Sequence, residues 1–422
     1  MLPLASSSAA TRSMRLRIFS EVHVTASFLF CGLLVLYPIL NRYSSPVPQL
    51  TLSEFLLLGF FLHALLSRKL LGVKPIWSAL VFSLYLVLHS FLDAANLSGA
   101  LESDAIWSAC RVAYIYTGIA IFAPLYFDER VATRWLNVVS VFVASYGLLQ
   151  IAFSYAGIVL TSYIPFLPVI GDNLDLALEA KMSYGLRFRC QSLLNEPAAL
   201  CCYLLLPVAL SLFKRGSQSP NYKLASFLSV VALASASSTG LICVAILWIS
   251  HFLVRLWMDR KNGGWLIVAF AALCIIGVGT VVVSGLWDYF VMRVFGGSGL
   301  TVSGLSRSTR FYAFKDTFGA SETIYGILFG EGMYQTTNYL PGFFRLYLSL
   351  GLVGLTIMVV LLATRLHCGN HETRACTLLF IVLNVGTEIL LGNFAFYYLA
   401  FILGMEVGGN GLSYSISSQD HP

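Results

Sequence analysis

The sequence predicts an all-α integral membrane protein with about twelve transmembrane helices and two large loops on the outer face. Three observations carry that prediction. Of 422 residues, 58% are hydrophobic and only 11% are charged, whereas soluble domains carry about 25% charged residues. Mean hydropathy is +0.79. Apolar runs long enough to cross about 30 Å of hydrocarbon recur along the chain, separated by short basic loops. The whole of 1–422 therefore reads as a single polytopic membrane domain. A net charge of +6 could suggest nucleic acid, but the basic residues are spread over short loops between apolar runs, which is the pattern of membrane topology and argues against a nucleic-acid partner.

In chain order, Arg12, Arg15 and Arg17 precede the first apolar run. No small-residue cleavage site follows it at Tyr37-Pro-Ile-Leu40, so an uncleaved first helix is expected. The runs place helices near 19–40, 51–66, 76–95, 106–127, 136–158, 196–213, 224–239, 240–257, 264–283, 343–363, 375–391 and 393–409. The seventh and eighth are short and meet at Ser235-Ala-Ser-Ser-Thr-Gly240, which predicts a tilted or broken pair. Small residues there favour close helix packing over a direct substrate role.

With the N-terminus inside, sixteen of the 26 basic residues fall on one side and nine on the other. Both termini are accordingly expected in the cytoplasm. The two long outer loops, 159–195 and 284–342, hold most of the basic residues that break this bias: Lys181, Arg187 and Arg189 in the first, and Arg293, Arg307, Arg310 and Lys315 in the second, with Arg345 at its exit. A positive outer face calls for an anionic partner, and loops this long are usually functional.

The first loop contains Tyr163-Ile-Pro-Phe-Leu-Pro-Val-Ile170, too short to cross and expected at the interface or in a short amphipathic helix. It ends at Asn195-Glu196-Pro197. Asn is a good helix cap and Pro fits the first turn, so a membrane helix is expected to open there, its positive end sharing a pocket with Arg187 and Arg189. In the second loop Phe311, Phe314 and Phe318 recur at helical spacing, with Arg307 and Arg310 on one face. That loop closes on Gly330-Glu331-Gly332, where the glycines permit a tight turn.

The nine cysteines show no CxxC or zinc spacing and mostly lie within apolar runs, so they read as small buried hydrophobes. Asp172, Asp175 and Glu179 lack a second ligand cluster and read as a solvated loop, so no metal is expected. His89 reads as a packed or interfacial residue.

In its order of helices, its arginine-rich outer loop, Arg187 and Arg189 ahead of Glu196-Pro197, Ser237-Ser-Thr-Gly240, and Ser308-Thr-Arg310 followed by Gly330-Glu-Gly332, the chain resembles the bacterial O-antigen polymerase and ligase superfamily. The resemblance spans nearly the whole chain. It implies a GT-C-like glycosyltransferase of the bacterial inner membrane that polymerises repeat units of O-antigen, exopolysaccharide or capsule. The saccharide would pass from an undecaprenyl diphosphate carrier to an acceptor sugar hydroxyl at the periplasmic face.

That chemistry needs stabilisation of a departing diphosphate and removal of a proton. The resemblance gives the first task to Arg187, Arg189 and Arg310, with Arg293, Arg307 and Asn195 as further substrate contacts. Glu196 is the candidate base, or else a carboxylate that orients the arginines, and Glu331 is the alternative base. No cofactor is implied. Implied partners are the lipid-linked oligosaccharide, membrane lipids, and the chain-length regulator and flippase of the same pathway.

Ligases of this superfamily depend on a histidine in the second large outer loop. None of the seven histidines lies in either loop here, which favours polymerase over an O-antigen ligase-type transferase. The reading from another class is a transporter or flippase of an anionic or lipid-linked substrate. Sparse intramembrane charge, with Arg111 and Glu388 the conspicuous exceptions, argues against it.

Overall fold

The computed structural model describes residues 25–67, 74–97, 103–170, 189–214, 219–235, 237–258, 323–333 and 340–409. The described part is all-helical and without strands: α1 (Thr25–Leu40), α2 (Leu52–Leu66), α3 (Trp77–Leu97), α4 (Ser103–Tyr126), α5 (Glu129–Tyr155), α6 (Pro197–Leu212), α7 (Tyr222–Ala234), α8 (Ser238–Met258), α9 (Ile324–Phe329), α10 (Gly342–Cys368), α11 (His371–Gly386) and α12 (Asn393–Gly409).

Four of these contain stretches long and apolar enough to cross a membrane: Ile106–Tyr126, Glu129–Tyr155, Thr239–Leu256 and Gly342–Cys368. Shorter apolar helices include Leu52–Leu66, Pro197–Leu212 and Tyr222–Ala234. With 13 residues, α7 covers about 20 Å at 1.5 Å per residue, short of the hydrocarbon thickness. The expected span at 264–283 lies outside the described residues.

Boundaries moved where a polar residue caps a helix earlier than hydropathy alone suggests. The run expected from 136 begins at Glu129, because the Asp128 carboxylate accepts from the N–H groups of Arg130 and Val131. Likewise Asn370 accepts from Thr373 N–H at 2.8 Å and starts α11 four residues ahead of the expected 375. The helix then ends at Gly386.

An interrupted helix in an apolar setting leaves carbonyls that water cannot satisfy, so another group must donate to them. Pro207 inside α6 removes the N–H that would bond to the Tyr203 carbonyl, and the Tyr397 hydroxyl of α12 donates there instead at 3.0 Å. Pro124 inside α4 frees the Ala120 carbonyl, which accepts from Ile76 N–H at 2.9 Å.

The largest interruption is in α10, where Gly351 adopts φ +63° and ψ −165° and breaks the helix. The carbonyls of Leu348, Ser349 and Leu350 are taken up by Glu331 N–H, Gly332 N–H and the Tyr85 hydroxyl, at 2.7, 3.2 and 2.9 Å. Gly330 and Gly332 have φ of +86° and +91°, so the tight turn expected of these glycines is present. Its backbone presses directly on the break: a β-carbon at Gly330 would meet Leu350 N and Ser349 C, and one at Gly351 would meet the Leu328 carbonyl.

The core is a single apolar cluster with α6 at its centre; every residue of α6 except Ala198 is buried. Tyr203 stacks on Tyr397 with ring centroids 5.1 Å apart, and the Tyr398 hydroxyl donates to the Cys202 carbonyl at 2.6 Å. On another side α8 closes against α6 at Gly240, where a β-carbon would collide with the Cys201 sulfur. The cluster around Ser235–Gly240 thus serves close packing, as its small residues predict. His89 is buried in α3 beside Tyr85.

Candidate functional site

The N-terminal end of α6 is held in place by a short, highly cross-linked segment. Gln150 of α5 reads that backbone from both sides of its amide: Oε1 accepts from Gln191 and Ser192 N–H at 3.3 and 2.8 Å, and Nε2 donates to the Ser192 carbonyl at 3.2 Å. Ser192 sits at φ +53°, a conformation that costs a non-glycine residue energy. Its hydroxyl donates to the Val143 carbonyl at 2.7 Å and helps hold it there. Gln191 Nε2 donates to the Ser162 hydroxyl at 2.6 Å. Beside this segment Cys190 is fully buried, and burial pushes its thiol up to about 12, so at neutral pH it stays a protonated packing group.

Glu196 is the cap residue of α6, with extended φ −154° and ψ 158°, Pro197 following at the first helical position. This corrects the expectation that Asn195 caps the helix. Glu196 makes no side-chain bond to the first-turn N–H groups. Both Asn195 and Glu196 are exposed, and both line a cavity of about 950 Å³.

Four other parts of the chain complete that cavity, among them Val169 and Ile170 of the segment that follows α5. The connection between α1 and α2 supplies a polar wall that includes Asn41, Arg42, Ser44, Ser45 and Gln49. Arg111 enters from α4. The turn between α11 and α12, with the first residue of α12, contributes Glu388 and Asn393, and Ala198, Ala199 and Cys202 bring the first turns of α6.

The α1–α2 connection is joined to the segment that follows α5. Tyr43 bridges to Val169, Ser44 N–H donates to the Pro168 carbonyl at 2.8 Å and Ile170 N–H to the Arg42 carbonyl at 3.0 Å. Residues 163–170 therefore form no helix, in place of the short amphipathic helix allowed as one possibility. Phe166 is 83% exposed.

The charges around the cavity are largely paired. Arg111 donates through Nε and Nη2 to Glu54 Oε1, each at 2.8 Å. The Glu54 side chain is completely buried, and its Oε2 accepts from Thr51 N–H at 2.8 Å in a capping box. Glu388 pairs with Arg345 of α10. Arg42 differs: its Nη1 donates to the carbonyls of Ser162 and Leu194 at 2.7 and 3.1 Å. Among the described residues it makes no ion pair.

Of the residues expected to form the site, the structure brings Asn195 and Glu196 together in the cavity. Arg189 Nε donates to the Ser235 carbonyl at 3.2 Å, and the residue is not among those that line the cavity. Glu331 sits at the break in α10 and is also outside the lining. Its neighbouring glycines are used for contact with backbone. Arg187, Arg293, Arg307 and Arg310 lie outside the described residues, as do Asp172, Asp175 and Glu179. Among the described residues no group of three potential ligands could hold a metal.

Sequence reasoning missed Arg42, and it noted Arg111 and Glu388 without connecting them to Glu196. A signal for Arg42 was available: an arginine directly after the first apolar run, on the side where basic residues are scarce.

No protein-family model matches the chain, and no curated protein matches it.

Proposed function

We propose that this chain is a GT-C-like membrane glycosyltransferase that polymerises oligosaccharide repeat units carried on undecaprenyl diphosphate, at the periplasmic face of a bacterial inner membrane, with both termini in the cytoplasm. The observation that carries the reading is the convergence of Asn195, Glu196 and the first turns of α6 with Arg42 and Arg111 on one cavity of about 950 Å³. A volume of this order accommodates several sugar rings or a sugar diphosphate, and the amide and hydroxyl groups of its wall suit a polyhydroxyl ligand.

In this reading the acceptor hydroxyl oxygen attacks the anomeric carbon of the donor sugar. The bond from that carbon to the phosphate oxygen breaks, and the undecaprenyl diphosphate leaves with the electron pair. Glu196 takes the acceptor proton or orients the cations that hold the diphosphate. Arg187, Arg189 and Arg310, with Arg293 and Arg307, remain the proposed diphosphate contacts of the loops.

The test is elongation of a synthetic lipid diphosphate oligosaccharide by purified protein in vesicles with no ion gradient. We expect ladders of polymer from the wild-type protein. Glu196→Gln should lower turnover by about 100-fold, the scale of a lost general base, with donor binding retained. Transfer of the lipid-linked donor between leaflets with no elongation would replace the polymerase reading with a flippase.

A further inference from the structure

We propose that Arg42 is the cation by which this cavity holds a phosphate or diphosphate group. The inference rests on the polymerase reading for the identity of the natural ligand, but its physical basis is separate. A guanidinium recognises phosphate well when it is already oriented and its charge is not spent on a neighbouring carboxylate.

The two arginines that line the cavity, and Arg345 behind Glu388, differ in both respects. Arg111 is committed to the buried Glu54 and Arg345 to Glu388, so a phosphate approaching either must compete with a carboxylate already in place. Arg42 is oriented by two backbone carbonyls, of Ser162 and Leu194, both through Nη1. Carbonyls fix the direction of the fork without cancelling its charge. Its Nε and Nη2 make no hydrogen bond to the described residues, and the residue lines the cavity alongside Asn195 and Glu196.

The anchoring is also specific to this site. Leu194 immediately precedes Asn195-Glu196, so the bond that aims Arg42 also fixes the backbone two residues ahead of the candidate base. The cation and the carboxylate are held to the same short backbone segment. This is what positioning a leaving diphosphate relative to an acceptor hydroxyl requires.

The test uses the full-length protein in nanodiscs of a zwitterionic lipid. Three probes are applied: undecaprenyl diphosphate, inorganic diphosphate and phosphatidylglycerol. Site-resolved mass spectrometry after treatment with an arginine-directed dicarbonyl reagent should show Arg42 protected by both diphosphates and not by phosphatidylglycerol. In Arg42→Gln, which loses the charge and keeps a shorter polar side chain, undecaprenyl diphosphate should bind about 10- to 100-fold more weakly, the scale of a lost charge-assisted hydrogen bond.

Equal modification of Arg42 with and without either diphosphate overturns the proposal, as does protection by phosphatidylglycerol alone, which would make Arg42 a lipid-headgroup contact. If Arg42→Gln fails to fold, protection in the wild-type protein decides the question. Elongation without protection of Arg42 overturns this inference and leaves the polymerase reading intact. Protection without elongation does the reverse, retaining an anion site in a protein of other function.

Discussion

Arg111→Met is expected to destabilise the protein by about 3–5 kcal/mol, the range found when one partner of a buried ion pair is removed. The asymmetry of the pair explains why. Arg111 is 34% exposed and could be resolvated, but the Glu54 side chain has no exposure at all. Without the guanidinium, Glu54 Oε1 loses both donors at 2.8 Å, and the carboxylate keeps only the Thr51 N–H on its other oxygen. The penalty is therefore that of a buried charge with one donor left.

Neutralising that charge should recover most of the loss. In the double variant Glu54→Gln with Arg111→Met, the amide oxygen can still accept from Thr51 N–H and no charge is left stranded. Thermal unfolding of the two single variants, the double variant and the wild type gives the coupling directly. A double variant no more stable than Arg111→Met would show that the pair is not the source of the loss.

Gly351→Ala should be damaging for an independent reason. A residue with a β-carbon is strained at φ +63°, and here the added carbon would meet the Leu328 carbonyl and Phe329 N of the turn that satisfies the broken helix. We expect a loss of about 2–6 kcal/mol from strained backbone together with a displaced contact. Gly59→Ala in α2 is the control. Nothing lies within 4 Å of the added carbon, so stability should hold or rise slightly. Melting temperatures of the two variants in the same detergent would show the contrast. Comparable losses in both would mean that the break in α10 does not depend on glycine.

How much of this was legible in the sequence depends on the range of the interaction involved. Helix existence was legible because apolar runs are local, and the α6 start at Pro197 was legible because a proline after a polar pair is a local signal. The Ser235–Gly240 contact was readable too, since only small residues permit it. Helix starts at Glu129 and His371 were misplaced because hydropathy ignores capping by Asp128 and Asn370.

The cavity was the least legible part. It joins positions 42, 111, 196 and 388, and no spacing rule connects residues so far apart. Arg189 shows the same limit: its place in the sequence does not reveal that the chain turns at Ser192 and that its Nε donates to the Ser235 carbonyl at the end of α7. The break at Gly351 left no apolar signature, because its cost is met by a turn twenty residues earlier in the chain.

The burial of α6 has a consequence for how the site meets the bilayer. A helix that faces lipid must answer to hydrocarbon thickness by tilting or by deforming its surroundings. Almost none of α6 faces lipid, whereas α5 and α8 expose long apolar stripes that include Val138, Phe142, Ile246 and Leu253. Changes in acyl-chain length should therefore act first on those outer helices, with a layer of protein between them and the helix that presents Glu196. The Gln150 amide ahead of α6 and the tyrosines of α12 along it then fix the backbone that carries the candidate carboxylate, and its position should respond little to the thickness of the membrane around it.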